Sequence, residues 1–347
     1  PKIYPETESV SVFGGEELNP PQYGKVFITI KPFYGPFVPD SIKNNLKTML
    51  RKYSVAGIVA EIQDLKYLYI EAHVNAYYNP SLASNADSVK AVVTNNINTY
   101  ADSSEMNKYG AKFKYSKFQA VVDNSNDSIT SNITKIEIRR DMKPVLNSNA
   151  EYELCFGNQF YIKNNNGYNI KSSGFNIFGI ADTVFLSDFP NQDSKTGNLF
   201  LFTLSSRANP TVVSSNVGTI DYEKGEILIK PINITGTSKQ VQNIPIIEIS
   251  GCPESNDVIG LQDLYLQLDV STSTVDMVAD NVASGDNSSG TLYTATSSYM
   301  IGDIARLTEA ERANTSLLSS DTYVVGSSNL ELLGDSNPTP TSTTSGY

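Results

Sequence analysis

Residues 66 to 78, Lys-Tyr-Leu-Tyr-Ile-Glu-Ala-His-Val-Asn-Ala-Tyr-Tyr, alternate without a break. Leu68, Ile70, Ala72, Val74 and Ala76 fall on one side of an extended chain. Tyr67, Tyr69, Glu71, His73, Asn75 and Tyr77 fall on the other. A period of two over so long a run belongs to a pleated strand, not to a helix. The run therefore predicts a long strand with one buried face and one amphipathic, tyrosine-rich face. Asn79-Pro80 ends it.

A second alternating unit lies upstream, at residues 10 to 32. Val10 and Val12 alternate with Ser11 and Phe13, and Val26, Ile28 and Ile30 alternate up to Pro32. Between these runs Gly14, Gly15, Pro20, Pro21 and Gly24 form a structural turn, the glycines supplying positive φ and the prolines removing ladder donors. Ile42, Leu46, Met49, Leu50 and Tyr53 recur at helical spacing, with Asp40 or Ser41 placed to cap. Residues 58–62 read as a strand. Further on, Val89, Val92, Val93, Ile97 and Tyr100 mark a helix over 86–100, and a shorter one covers Ser116 to Asp123. Strand signals resume at Ile133 to Arg139. One sheet with helices on one face satisfies this order, a split βαβ-like α+β domain over residues 10–147 behind a connector of residues 1–9.

The texture then changes. Residues 148–270 hold short β-like runs, among them Leu199–Leu204, Ile227–Ile232 and Ile244–Ile249, with no helical stripe. Tyr222-Glu223-Lys224-Gly225-Glu226 reads as a hairpin turn with Gly225 in the left-handed region. The expectation is an all-β domain, sandwich or small barrel. Residues 271–347 form an extended Ser/Thr/Gly-rich C-terminal segment with a short helix near 303–314, carrying Ile304 and Leu307. Its end, Ser336 to Tyr347, reads either as disordered or as an arm that orders against a neighbouring subunit.

A length of 347 residues fits two or three domains. With 20 Tyr, no Trp and only 18% charged residues, the composition suits β or α+β architecture better than a helical bundle. The net charge of −11 repels phosphate backbones and anionic membrane surfaces, so neither nucleic acid nor membrane is an expected partner. Cys155 and Cys252 are too few for a disulfide framework and read as reduced and buried. No apolar run approaches the roughly 18 residues of a spanning helix. The chain starts at Pro1 and reads as a fragment or processed form.

Candidate chemistry is thin. His73 is the lone histidine, with no Cys nearby to make a metal cluster and no second imidazole for a nucleophilic triad. Glu16-Glu17 and Asp182 with Asp188 offer paired carboxylates of the kind glycoside hydrolysis needs, but an acidic chain supplies such pairs by chance. Asp263–Asp269 and Asp286–Gly290 miss the spacing of a calcium loop, and Gly14-Gly15 is not a phosphate loop. Arg139 and Arg140 are the nearest thing to a basic cluster, a solvated edge or a docking point for an acidic patch. No catalytic residue, metal ligand, cofactor or small-molecule substrate is expected. Tyr67, Tyr69, His73, Tyr77, Arg139 and Arg140 are the candidate subunit-interface residues, on a strand face that is either covered or an assembly surface.

Gly14-Gly15-Glu16, Pro20-Pro21 and Tyr23-Gly24-Lys25-Val26-Phe27-Ile28, in order with the helices and strands after them, resemble the entry to the shared module of the baseplate J-like family. More narrowly, the stretch from about Val10 to Pro144, with Gly251-Cys252-Pro253-Glu254-Ser255, resembles the C-terminal portion of the large wedge subunit of T-even-type contractile-tail baseplates. The resemblance implies a structural virion protein of the tail baseplate, assembled in the host cytoplasm and without enzymatic activity. It implies pairing with another copy, contacts with other wedge proteins in a ring around the tail hub, and transmission of baseplate rearrangement to the sheath. The alternative is a receptor- or glycan-binding module built on the all-β domain.

Overall fold

The computed structural model describes residues 4–17, 21–35, 38–54, 57–83, 85–103, 106, 108–162, 168–193, 195–204, 210–261, 264–280, 305–308 and 311. Pro20, Asp263, Asp286–Gly290, Ile304 and Ser336–Tyr347 lie outside the described residues. The chain forms two compact units. The first takes its described residues from 1–141, 155–161 and 250–299; the second from 142–154, 162–249 and 300–347. The stretch 250–270, expected within the all-β domain, thus lies in the first unit.

Along the chain the elements begin with β1 (Thr7–Gly14), β2 (Lys25–Pro32), α1 (Asp40–Arg51), β3 (Val59–Gln63) and β4 (Lys66–Tyr78). They continue with α2 (Ala86–Ala101), β5 (Lys108–Tyr109), β6 (Lys112–Phe113), α3 (Tyr115–Asp123) and β7 (Ile129–Met142). Next come β8 (Asn149–Cys155), β9 (Lys171–Ser172), β10 (Phe175–Ile177), β11 (Val184–Pro190), β12 (Thr196–Leu204), β13 (Pro210–Asp221) and β14 (Glu226–Thr237). The last are β15 (Lys239–Val241), β16 (Ile244–Gly251), β17 (Val258–Ile259), β18 (Leu264–Leu268) and β19 (Thr274–Ala279). Among the described residues no helix is long and apolar enough to cross a membrane.

In the first unit β1, β2 and β3 make a sheet of their own. β1 runs antiparallel to β2, with Val10 opposite Ile30 and Val12 opposite Ile28. β2 and β3 are parallel, and α1 is the crossover between them. The helix covers the face of Ile28, Ile30 and Ile62 with Ile42 and Leu46. Its cap differs from expectation. Pro39 stands at the N-cap without a side-chain bond, and Asp40 sits in the first turn, 2.8 Å from the Lys43 ammonium. Gly24 has φ +77°, but Gly14 and Gly15 do not adopt positive φ. Gly15 is needed for space instead: the Gln22 N–H donates to its carbonyl, and a Cβ there would strike the Gln22 carbonyl.

β4 anchors a separate sheet. It pairs antiparallel with β7 along one edge, and in parallel with β18 and then β19 along the other. Both edges of β4 are therefore occupied, which leaves no place for β1–β3 and gives two sheets where the alternation predicted one. Leu68, Ile70, Ala72 and Ala76 are completely buried. Burial of each large one is worth about 1.5–3 kcal/mol. Helix α2 turns Val89, Val93, Ile97 and Ala101 inward, and its N-cap Asn85 accepts from the Asp87 N–H. Val92, expected on the same stripe, is exposed. Helix α3 buries Phe118 and Val122, with Phe118 against the Tyr100 ring.

The second unit is built on a closed barrel, the β10-β11-β12-β13-β14 ribbon joined by pairing of β10 with β14. Register shifts at Leu199/Leu201 and Leu201/Phe202 in β12 supply local curvature. Phe175, Leu186, Leu201, Ile229 and Ile234 line a small apolar interior space. The hairpin expected at Gly225 is present, with φ +68° there. A second tight hairpin joins β15 to β16, where Gln242 (φ 52°) and Asn243 (φ 64°) make a two-residue turn with both centres left-handed. Of the helix expected near 303–314, residues 305–308 are not helical: Arg306 forms a parallel bridge with Ser173. Glu311 is helical and exchanges bonds with Thr308 as in a capping box.

Candidate functional site

The tyrosine-rich side of β4 becomes a layer of paired side chains. Register places Tyr69 opposite Arg139, Glu71 opposite Glu137 and His73 opposite Lys135 on β7. On the other edge Tyr67 lies beside Tyr265 of β18, and His73 beside Thr274 of β19. Directly opposed residues share a face, so two acids and two bases converge on one side of one strand pair.

Arg139 is the hub. Its Nη1 lies 2.5 Å from Glu71 Oε1, its Nε donates to Asp141 at 3.0 Å, and its Nη2 reaches Asp269 at 2.9 Å. Its guanidinium also stacks over the Tyr69 ring at 4.3 Å. Lys135 lies 2.5 Å from Glu137, with both side chains buried. Burial pushes the Asp269 carboxyl up, but the Ser271 hydroxyl and the nearby Arg139 charge outweigh it and hold the group below the usual range. Charges taken out of water persist only where partners and hydrogen bonds replace it, and this network supplies both.

The tyrosines continue the layer. Tyr67 stacks on Tyr69 at 5.2 Å, and Tyr265 meets Tyr67 and Tyr109 edge-on at 5.8 and 5.3 Å. Burial pushes the Tyr109 hydroxyl up to about 12 and raises Tyr67 and Tyr265 further. Tyr265 donates to Glu8 at 3.3 Å.

These placements decide what the candidate residues are. Tyr67, Tyr77 and Arg139 are buried within the unit, and Tyr69, His73 and Arg140 are half-buried. Arg140 donates to the Cys155 carbonyl at 2.5 Å, so it is not a solvated edge. Of the two cysteines, Cys252 is buried and Cys155 half-buried. The strand face is largely buried by side chains of its own sheet: Arg139 of β7 lies over Tyr69, and Tyr265 of β18 packs against Tyr67 and Tyr109. The turn residues Gly14, Gly15, Pro21 and Gly24 lie in and around the β1–β2 connection.

Among the described residues one group has metal-ligating potential: Glu71, His73 and Glu137, with one ligand atom of each within 4.8 Å of the others. His73 Nδ1 is 3.1 Å from Thr274 Oγ1, which orients the ring. Sequence spacing does not announce this group, because Glu137 comes near His73 only through the β4–β7 register. Arg139 and Lys135 already satisfy the two carboxylates, so the arrangement works as an electrostatic clamp between strands.

The barrel unit has its own buried node. Asp188, paired in the sequence with Asp182 as a possible hydrolytic couple, is fully buried while Asp182 is exposed. One oxygen accepts from the Asn169 and Ile170 backbone N–H groups at 2.9 and 2.6 Å; the other accepts from the Tyr222 hydroxyl at 2.5 Å. Burial pushes its carboxyl up to about 6 against these bonds. The group fastens residues 169–170 to the barrel.

Two family models match the chain. Baseplate structural protein gp6, C-terminal domain I, matches residues 1–63, and baseplate structural protein gp6, C-terminal domain III, matches residues 66–141. No curated protein matches. The matched boundary falls between β3 and β4, where the structure passes from one sheet to the next. Together these matches support a structural protein of the phage tail baseplate, a non-enzymatic class. Neither description names the baseplate J-like module.

Proposed function

We propose that the chain is a baseplate wedge subunit of a contractile tail, related to the baseplate J-like module, that self-associates and joins other wedge proteins around the tail hub. In this reading it carries baseplate rearrangement to the sheath, and it takes its place in the virion after assembly in the host cytoplasm. The observation that carries the proposal is the tandem match of two gp6 C-terminal domains to the two consecutive sheets of the first unit.

The surface offers a contact region consistent with it. Val12, Tyr23, Phe33, Tyr34 and Tyr53 are 57–85% exposed, and all lie within residues 1–63. Strand β1, which carries Val12, is an edge of its sheet. Large apolar side chains left this exposed on a folded domain are candidates for contact with a partner. The face of Tyr67, Tyr69, His73, Tyr77, Arg139 and Arg140 supplies the same unit with a stiff, charge-clamped layer. A closely packed, charge-clamped sheet transmits displacement, because packed cores deform little.

Light scattering after size exclusion over about a hundredfold concentration range tests the self-association. The expected result is a dimer that persists on dilution and dissociates in a Val12→Lys, Tyr34→Asp variant. A strict monomer at every concentration would contradict it.

A further inference from the structure

Strands β11 and β12 carry an aromatic surface that the barrel itself covers only in part. Phe185 lies opposite Phe202, and Ser187 opposite Phe200. Leu186 and Leu201, one residue along, line the apolar interior. Alternation therefore sets Phe185, Phe200 and Phe202 on the outer face. Yet these three are at most 3% exposed. Part of their cover is local, with Tyr168, Phe189, Leu204 and Val212 packed against them; the rest is a short distant segment, whose Ala305 and Leu307 complete the cluster and are themselves 2% and 7% exposed.

The segment is held like a bound peptide. The Arg306 N–H donates to the Ser172 carbonyl at 2.9 Å, extending the edge next to Ser173 in parallel. The Arg306 guanidinium donates to Glu248 at 3.0 Å, and Lys239 lies 2.5 Å from the same oxygen. At the far end Glu311 accepts from the Ser238 hydroxyl at 2.7 Å. Gly174 leaves room for this contact, since a Cβ there would come within 2.6 Å of the Ser238 hydroxyl and 2.8 Å of the Glu311 carboxylate.

We propose that this outer barrel face is a docking socket for the segment that carries Ala305, Arg306, Leu307 and Glu311, and that the socket of one copy accepts the segment of a second copy. Recognition is local: two apolar plugs, one backbone bond, one ion pair and one hydroxyl–carboxylate contact supply it. In the sequence 24 residues separate Asp280 from Ala305. Their contour spans up to about 80 Å, so connectivity does not bind a segment to its own socket. Because every copy carries the same socket and segment, exchange costs no contact, and a high local concentration of copies favours it. The inference rests on the self-association proposed above for that concentration.

Cysteine pairing across the Ser173–Arg306 bridge tests it. Full-length Ser173→Cys and Arg306→Cys chains with different tags are co-expressed and mildly oxidised. The double variant and single variants with the native cysteines serve as controls. A disulfide-linked, mixed-tag species that needs both new cysteines is the expected result. An intrachain disulfide in the double variant with no mixed-tag species would overturn exchange, and absence of both would overturn docking altogether. Light scattering on the same samples separates the two readings: dimeric mass without the link rejects exchange alone, and monomeric mass rejects both. As a second measurement, a fluorescent peptide of residues 303–313 should bind saturably to a full-length Leu307→Asp chain. No binding there would also overturn the socket.

Discussion

Arg139 and Glu71, 68 positions apart in the chain, meet at 2.5 Å between adjacent strands, each side chain at most 6% exposed. The pair ties the β4 strand to β7, and through Asp269 the same guanidinium ties in the segment that follows β18. A buried clamp of this kind is sensitive to losing one partner and tolerant of losing both.

Arg139→Met should therefore destabilise the first unit by about 3–5 kcal/mol, since it leaves Glu71 buried without its cation. A Glu71→Leu, Arg139→Met double variant should recover the part of that loss due to Glu71, while the part due to Asp141 and Asp269 remains. Urea denaturation of the three chains measures both, and equal losses in single and double variants would contradict the clamp.

Asp188 gives the barrel a pH dependence of defined sign. Its carboxyl, pushed up to about 6 by burial, lies above the usual 3.8. Between those values the folded state holds a proton that the unfolded chain has released, so stability falls as pH rises from about 4 to 6 and levels off above. The span corresponds to about 3 kcal/mol. Asp188→Asn, whose amide oxygen still accepts from the backbone, should flatten the profile. A wild-type profile that rises across this window would contradict the assignment.

Tyr69 belongs to the stack as well as to the cation contact with Arg139. Tyr69→Ala should cost about 2 kcal/mol in thermal or urea unfolding, from lost burial, stacking and cation–π attraction. A variant of unchanged stability but weakened self-association would instead make Tyr69 a direct contact.

Leu307→Ala should uncover Phe185, Phe200 and Phe202, with which Leu307 packs. A hydrophobic reporter dye should then brighten on the folded chain, with a stability loss of about 2–5 kcal/mol. Unchanged dye fluorescence would mean the aromatic face is covered by other means.

Local elements were legible wherever one pattern ran long enough. The alternation from Lys66 to Tyr78 and the stripe of α2 correspond to β4 and to Ala86–Ala101 within a residue. Gly225 marked its hairpin because a left-handed turn demands it. Pairing was not legible, because alternation states that a strand has faces and not which strand lies beside it. Leu264 beside Lys66 and Thr274 beside His73 join positions about 200 residues apart. The same gap hid the charged layer. Glu71, Glu137 and Arg139 read as separate surface charges until the register opposed them. Ala305 and Leu307 carry too short a pattern to announce a docked segment, and Asp188 read as half of a hydrolytic pair because burial is invisible in its neighbours.

The most direct measurement is the location of this chain in the particle. An epitope-tagged copy, expressed in trans during infection by the phage that encodes it, is imaged with gold-labelled antibody on purified virions. The account predicts gold at the tail end distal to the head, in particles with extended and with contracted sheaths. Purified virions without label, while the tagged chain stays entirely in the soluble lysate, would contradict it.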